Sequence, residues 1–369
     1  MNRRQFRTTR DYSTNNPPKK SKNKSLIIKI SLLFIASILI SVTAYGIFLM
    51  KKAESAADRS LEITEREKSS LRDEKVEPLE DNISILFMGV DDSSERDQGA
   101  NTRSDALIVA TLNNESKTIK MLSIPRDSYV YIPEVGYKDK INHAYAYGET
   151  EATLDTVETL LDIPIDYYVK MNFDAFIDIV DSLGGIEADV PYSLMELDSE
   201  DNRTINLQPG YQTLNGAEAL ALARTRKQDN DIERGKRQQQ ILEAIMEKTV
   251  SASSFTKYGD LIDAVGNNMK TNMTFTEMKS MFEYGKDGMP SIEKLNLLGY
   301  DDQSTGVYYY QLDEPNLLEI KAKMQSHLEY EHNASEFTSG EDASINATES
   351  NGSHSHNEEY DQNDTSNQP

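Results

Sequence analysis

Charged residues gather where the apolar runs of this chain stop. The run ISILFMGV (83–90) ends in Asp91 and Asp92. ALIVATL (106–112) is entered through TRSD, which carries Arg103 and Asp105, and TIKMLSI (118–124) runs out into PRDS, with Arg126 and Asp127. A further group lies in ARTRKQDNDIERGKRQQQ (223–240), where six Lys/Arg and three Asp/Glu fall within eighteen residues. Arg224 and Arg226 share a face if that segment is extended. Arg234, Arg237 and Gln238 share a face if it is helical, and a helix N-terminus near Arg234 adds positive potential. Carboxylates of this kind hold a hard cation such as Mg²⁺ together with substrate phosphates, while arginines fork onto phosphate oxygens. Taken singly, each residue is an ordinary surface ion pair of little worth; as a group they suit a metal-bound phosphate. Spacing alone equally allows a solvated basic helix start balanced by Asp229, Asp231 and Glu233.

The elements that must carry these residues read as α/β. The three apolar runs are nearly continuous, as buried strands are, with Asn113 and Asn114 as a turn between the second and third. FDAFIDIVDSLGG (173–185) places Phe173, Phe176, Ile177, Val180 and Leu183 on one helical face, with glycines as the stop signal. A capped helix follows Asn215, and another runs from Gln238 to about 250. Helices are expected near 257–267, 275–285 and 314–329, and strands near 293–299 and 306–312. The mixed order predicts a mixed central sheet flanked by helices, and ligands in such folds collect at strand ends.

The rest of the chain sets the location. Residues 1–25 form a basic tail, and 26–50 an apolar run long enough to span a bilayer as a signal-anchor. The basic flank predicts a cytoplasmic N-terminus and an exported remainder, a single-pass type II arrangement at the cell membrane. The whole chain carries −23; residues 1–50 hold nine Lys/Arg and one Asp, so the exported part carries −31. Such a charge repels nucleic acid, which argues against a DNA-binding regulator. With no cysteine, the exported part rests on core burial rather than disulfides. Residues 51–80 read as a charged, solvated stalk, 81–330 as one α/β domain, and 331–369 as a disordered acidic and polar tail.

FMGVDD, TRSDALIVAT, LSIPRDS, KINHAYAYG, DSLGGI, LNGAEALALARTRK and DIERGKRQQQIL follow one another in an order that resembles the LytR-CpsA-Psr family of Gram-positive envelope proteins. The resemblance is strong over residues 81–250 and looser to about 330. It implies an α/β/α fold with a hydrophobic tunnel for a prenyl chain. It also implies a phosphotransferase-type ligase that moves an anionic glycopolymer, such as wall teichoic acid or capsule, from a polyprenyl-pyrophosphate carrier to peptidoglycan, with a sugar hydroxyl as acceptor. By the same resemblance Asp91 and Asp105 match carboxylates that hold Mg²⁺, or Mn²⁺ in its place. Arg103, Arg126, Arg224, Arg226 and Arg234 match pyrophosphate contacts, Gln238 is a polar neighbour, and Arg237 shares Arg234's role. Asp91, Asp105, Arg126 and Arg224 are then the residues expected to carry catalysis, although Asp92 stands where many relatives have a small residue. Water as acceptor would make the same site a polyprenyl-pyrophosphate phosphatase. A non-catalytic envelope scaffold would depend on the stalk and tail instead of the arginines.

Overall fold

The computed structural model describes residues 22–62, 64, 66–90, 102–197, 204–226, 230–250, 258–285 and 288–330. The expected basic tail up to residue 21, Asp91, Asp92 and the C-terminal segment from 331 lie outside them. A long helix, α1 (Lys22–Ser60), leads to β1 (Ile83–Val90), β2 (Ser104–Asn113) and β3 (Thr118–Ser123). Next come a hairpin of β4 (Tyr129–Ile132) and β5 (Tyr137–Lys140), then α2 (His143–Leu161), β6 (Tyr167–Met171) and α3 (Phe173–Ser182). Four short strands follow, β7 (Ile186–Val190), β8 (Leu194–Leu197), β9 (Thr204–Leu207) and β10 (Gly210–Leu214), before α4 (Gly216–Arg224) and α5 (Asp231–Val250). The rest is α6 (Tyr258–Asn268), β11 (Met269–Thr271), α7 (Phe275–Tyr284), β12 (Ser291–Asn296), β13 (Gly299–Asp302), β14 (Tyr309–Leu312) and α8 (Glu314–Leu328).

Six strands form the central sheet in the order β11-β6-β1-β2-β3-β12. The β1–β2, β2–β3 and β6–β11 pairs are antiparallel, and the β1–β6 and β3–β12 pairs parallel, so the sheet is mixed as expected. Strand alternation divides the side chains between two faces. Leu86, Leu107, Val109 and Leu122 pack on one side with α2 and α8 residues such as Val157 and Met324. Ile85, Ile108, Ala110 and Met121 point to the other, toward α5 and α7. The result is a three-layer α/β/α arrangement.

Local signals explain the elements. α4 opens on a capping box in which the Asn215 side chain accepts from the Glu218 amide and the Glu218 carboxylate from the Asn215 amide. α7 repeats this with Thr274 and Glu277. α5 begins seven residues before the expected start: its charged first turns hide the helical period, and Asn230 Oδ1 accepts from the Glu233 amide. It is pinned to the sheet by Gln239, which is fully buried and donates to the carbonyls of Met121 and Leu295 at 2.9 Å each. Gly235 lets it lie close, since an added Cβ would stand 2.5 Å from Ser123 Oγ.

The segment read as a solvated stalk is instead part of the domain. α1 continues to Ser60 without a break, with Ala56 and Ala57 buried. Arg66 pairs with Asp155 and Glu158, and Arg72 forks onto Asp166 with both bonds at 2.9 Å. Val76 is buried in the core. Arg66 and Arg72 are therefore partners for domain carboxylates, Glu158 and Asp166 among them buried, which composition alone cannot distinguish from a solvated run.

Candidate functional site

Between the sheet and helices α3, α5, α6 and α7 lies a cavity of about 670 Å³. Its walls are almost wholly apolar, and nine of the chain's thirteen methionines line it, among them Met121, Met171, Met246, Met273, Met278 and Met281. Methionine is unbranched and polarisable, so such a wall adapts to a flexible occupant. α5 runs the length of this space. Arg234, Gln238, Ile241, Leu242, Ile245, Met246, Thr249 and Val250 all line it, a single stripe at helical spacing that begins with a cation and turns greasy.

The cations collect at the end where α5 starts. Asp105 enters from β2, Arg126 from the loop after β3, Arg224 from the last turn of α4, and Arg226 from just beyond it. Arg126 Nη1 donates to Asp105 Oδ1 at 2.6 Å. Arg224 is exposed and stacks on the Phe173 ring, 4.4 Å from its centroid. Asp231 Oδ1 stands between Arg234 Nη1 at 3.3 Å and Arg226 Nη1 at 3.6 Å. Among the described residues, four arginines and Lys140 thus face three carboxylates, Asp105, Asp127 and Asp231, an excess of two positive charges.

That excess is held under tension. Arg234 is buried, and burial together with the Arg126 and Arg226 guanidinium groups pulls its pKa down to about 10, against the attraction of Asp231 and Asp105. The Nε atoms of Arg126 and Arg234 are buried with no hydrogen-bond partner, Arg126 Nε reaching only a long ion pair with Asp127 Oδ2 at 3.5 Å. Buried donors left unpaired are costly, and an anion with several oxygens would relieve both the missing bonds and the repulsion. Beside them, burial pushes the Asp127 carboxyl up, but the bond and charge of Lys140, then Arg126 and Arg226, outweigh it and hold the group below the usual carboxylate range.

The expected site residues sort into three groups. Asp105, Arg126, Arg224, Arg226, Arg234 and Gln238 come together at the cavity. Arg103 is exposed and does not line it. Arg237 does not share Arg234's role: it is buried away from the cavity, where it donates to the carbonyls of Leu222 at 3.1 Å and Thr225 at 2.5 Å and lies over Tyr192. Three residues along the helix, about 60° short of a full turn, separate a cavity-facing arginine from one that holds the end of α4. Among the described residues no group of three or more His, Asp or Glu side chains gathers as a metal site. Two features went unread in the sequence, the placement of Asp231 between two arginines and of Phe173 under Arg224. Extending the helical period of α5 backward from Gln238 to Arg234 would have brought out the stripe.

Comparison with known proteins agrees with this architecture. The LytR_cpsA_psr family model matches residues 47–326. The polyisoprenyl-teichoic acid–peptidoglycan teichoic acid transferase TagT of Bacillus subtilis is 37% identical over 314 residues, 84% of this chain and 97% of that protein. The solved structure of TagT bound to LIIa-WTA superposes with a TM-score of 0.61 at 39% identity, covering 72% of this chain and 98% of that one. The structure of TagT (YwtF) with bound octaprenyl pyrophosphate lipid superposes with a TM-score of 0.57 at 36% identity, over 72% and 98%. Matched by the family model through its whole α/β/α body, the chain belongs to the LytR-CpsA-Psr family.

Proposed function

We propose that this chain is a transferase that moves a teichoic acid or a similar anionic glycopolymer, capsule included, from a polyprenyl-pyrophosphate carrier to peptidoglycan. One observation carries the reading: an arginine cluster with unpaired buried donors opens into a long apolar cavity. That combination suits an amphiphile with a multiply charged anionic head and a long hydrocarbon tail. Each methylene of the tail taken from water contributes about 0.8 kcal/mol, and each fork onto the head adds charge-assisted bonds. The relatives' names and the lipid bound in TagT support the same donor.

The chemistry follows from the geometry. Arg126, Arg224, Arg226 and Arg234 hold the diphosphate and stabilise the charge that builds on its oxygens as the bridge breaks. An acceptor hydroxyl oxygen of peptidoglycan bonds to the phosphorus that carries the saccharide. The bridging P–O bond breaks, polyprenyl phosphate leaves with the bridging oxygen, and the hydroxyl proton passes to a base. Asp105 is the described carboxylate that lines the cavity at this end. A hard divalent cation fits the donors here: Asp105 presents carboxylate oxygen beside the phosphate cradle, Asp91 lies outside the described residues, and Mg²⁺ takes few protein ligands when phosphates supply the others. Mg²⁺, or Mn²⁺, would be held by Asp105 and Asp91 and would neutralise charge on the phosphate oxygens. The apolar helix α1, long enough to cross a membrane, supports anchorage in the cell membrane, and the basic residues before it favour a catalytic domain on the outer side.

The test incubates the full chain with a polyprenyl-pyrophosphate-linked saccharide, Mg²⁺ and peptidoglycan oligomers, alongside Arg126→Ala. Saccharide joined covalently to the glycan by the wild type and not by the variant is the expected result. Saccharide phosphate released into solution without joined product would replace the transferase with a hydrolase.

A further inference from the structure

α6 separates the anchor helix from the cavity by one helix thickness. Its Gly259, Asp263 and Gly266 face α1. A Cβ added at Gly266 would stand 2.6 Å from Ala56 Cβ, one at Gly259 would lie 3.6 Å from Lys52 Nζ and 4.0 Å from Leu49 Cδ2, and Lys52 pairs with Asp263 at 2.7 Å. Its other side places Leu261 and Val265 in the cavity wall. The contact is fixed further along, where Leu61 bridges Thr271 and the Glu62 amide donates to the Thr271 carbonyl at 2.8 Å.

The point where this contact begins is informative. Every residue of α1 from Leu26 to Phe48 is exposed, and burial starts at Leu49, within a residue of the end of the apolar run at Met50. There is no spacer between the part of α1 that suits hydrocarbon and the part that carries the domain. The cavity wall reaches the same place through α6, whose first turns touch Leu49 and Lys52 and carry Leu261, a member of the same apolar cluster as Ile245 in the second half of the α5 stripe. From Val250 back to Arg234 is sixteen residues, about 24 Å of helix, so the arginines stand at the far end.

We propose that the domain sits directly on the membrane surface with the tail end of its cavity turned to the bilayer, and that the polyisoprenyl tail of the donor enters and leaves beside α6. This rests on the reading of the chain as a membrane-anchored polyprenyl-pyrophosphate transferase. Entry through the arginine end would draw the whole tail through water, and the cost of exposing apolar surface grows with every methylene. Entry beside α6 keeps the tail in an apolar medium throughout. α1 then does more than tether, because it holds one wall of the entry in place.

The experiment uses the full chain in phospholipid vesicles. Capture of polyprenyl pyrophosphate is measured when the lipid is presented in the same vesicles and when it is presented in detergent micelles. Gly266→Leu wedges α6 away from α1. Its capture from vesicles should fall about tenfold or more, the equivalent of about 1.4 kcal/mol, with capture from micelles close to wild type. Equal capture by variant and wild type from both sources overturns the route. A second measurement does not disturb the packing: a fluorophore on Asp260→Cys, an exposed position in the first turn of α6, should be quenched by lipids spin-labelled near the headgroup. An unquenched label overturns the seating, and this result decides alone if Gly266→Leu unfolds. Failure of the wild type to capture lipid from either source would instead remove the donor assignment on which the route rests.

Discussion

Replacing Arg237 by Met separates two tasks that arginines perform around this cavity. Arg237 is 5% exposed, and its guanidinium donates to the carbonyls of Leu222 and Thr225 at the end of α4. Charge-assisted bonds of this kind contribute about 1.5–3 kcal/mol each, and a carbonyl left unpaired in a buried place keeps its desolvation cost. Methionine recovers some packing and removes a buried cation, so the net loss is about 3 kcal/mol. For a domain of this size, Tm should fall by about 6–12 °C. Arg224→Ala should behave in the opposite way. Arg224 is exposed and gives up only its stacking on Phe173, about 0.5–1 kcal/mol, so Tm should hold to within about 4 °C. Its loss should instead weaken binding of a pyrophosphate lipid by about tenfold to a hundredfold, the worth of one charge-assisted contact. Thermal unfolding and lipid titration of both variants, the titration run well below either Tm, give the comparison. An Arg237→Met protein with wild-type Tm and the affinity loss expected of Arg224→Ala would refute the assignment of Arg237 to the helix end.

Other expectations follow from the same geometry. His327 is buried, accepts or donates at Thr111 and Thr118, and is pulled down to about 4 by burial and by Lys120. The unfolded chain therefore takes up a proton below about pH 6.5 that the folded chain refuses, and stability should drop between about pH 6.5 and 4 by at most about 3 kcal/mol. Urea midpoints should show this slope flattened in His327→Gln. Gly235→Ala forces α5 off Ser123 and should cost about 1–3 kcal/mol in the same assay. Met246→Trp fills the middle of the stripe. Displacing about three methylenes of a long tail should weaken its binding by ~2 kcal/mol, while inorganic pyrophosphate, titrated calorimetrically, should bind as before.

The strands that frame the site were legible because they are buried on both faces: β1 matches its apolar run end to end, β2 extends its run by a few residues, and β3 ends one residue before its run does. α3, α4 and the three later helices announced themselves by period and caps. α2 did not, because Gly148 and Glu149 leave helical geometry inside it and shift the apolar period partway along. β6 and the short strands β7 to β11 were missed for want of length: three to five residues hold too little alternation to read. In the site, residue type and spacing pointed to an anion, but only the fold shows which arginines face it. Arg234 and Arg237 are three apart on one helix, yet the first lines the cavity and the second holds a neighbouring helix. The stalk failed for a similar reason, since the partners of Arg66 and Arg72 lie some ninety residues away.

The central claim is that one continuous site takes a diphosphate at the arginines and a hydrocarbon tail along α5. A polyprenyl pyrophosphate bearing a photoreactive diazirine at the far end of its tail tests it most directly. After irradiation with the full chain, peptide mass spectrometry should locate the adduct on the last turns of α5 or on α6 and α7, with labelling lost in Arg126→Ala. Adducts on α2 or α8, or labelling indifferent to Arg126, would contradict the account.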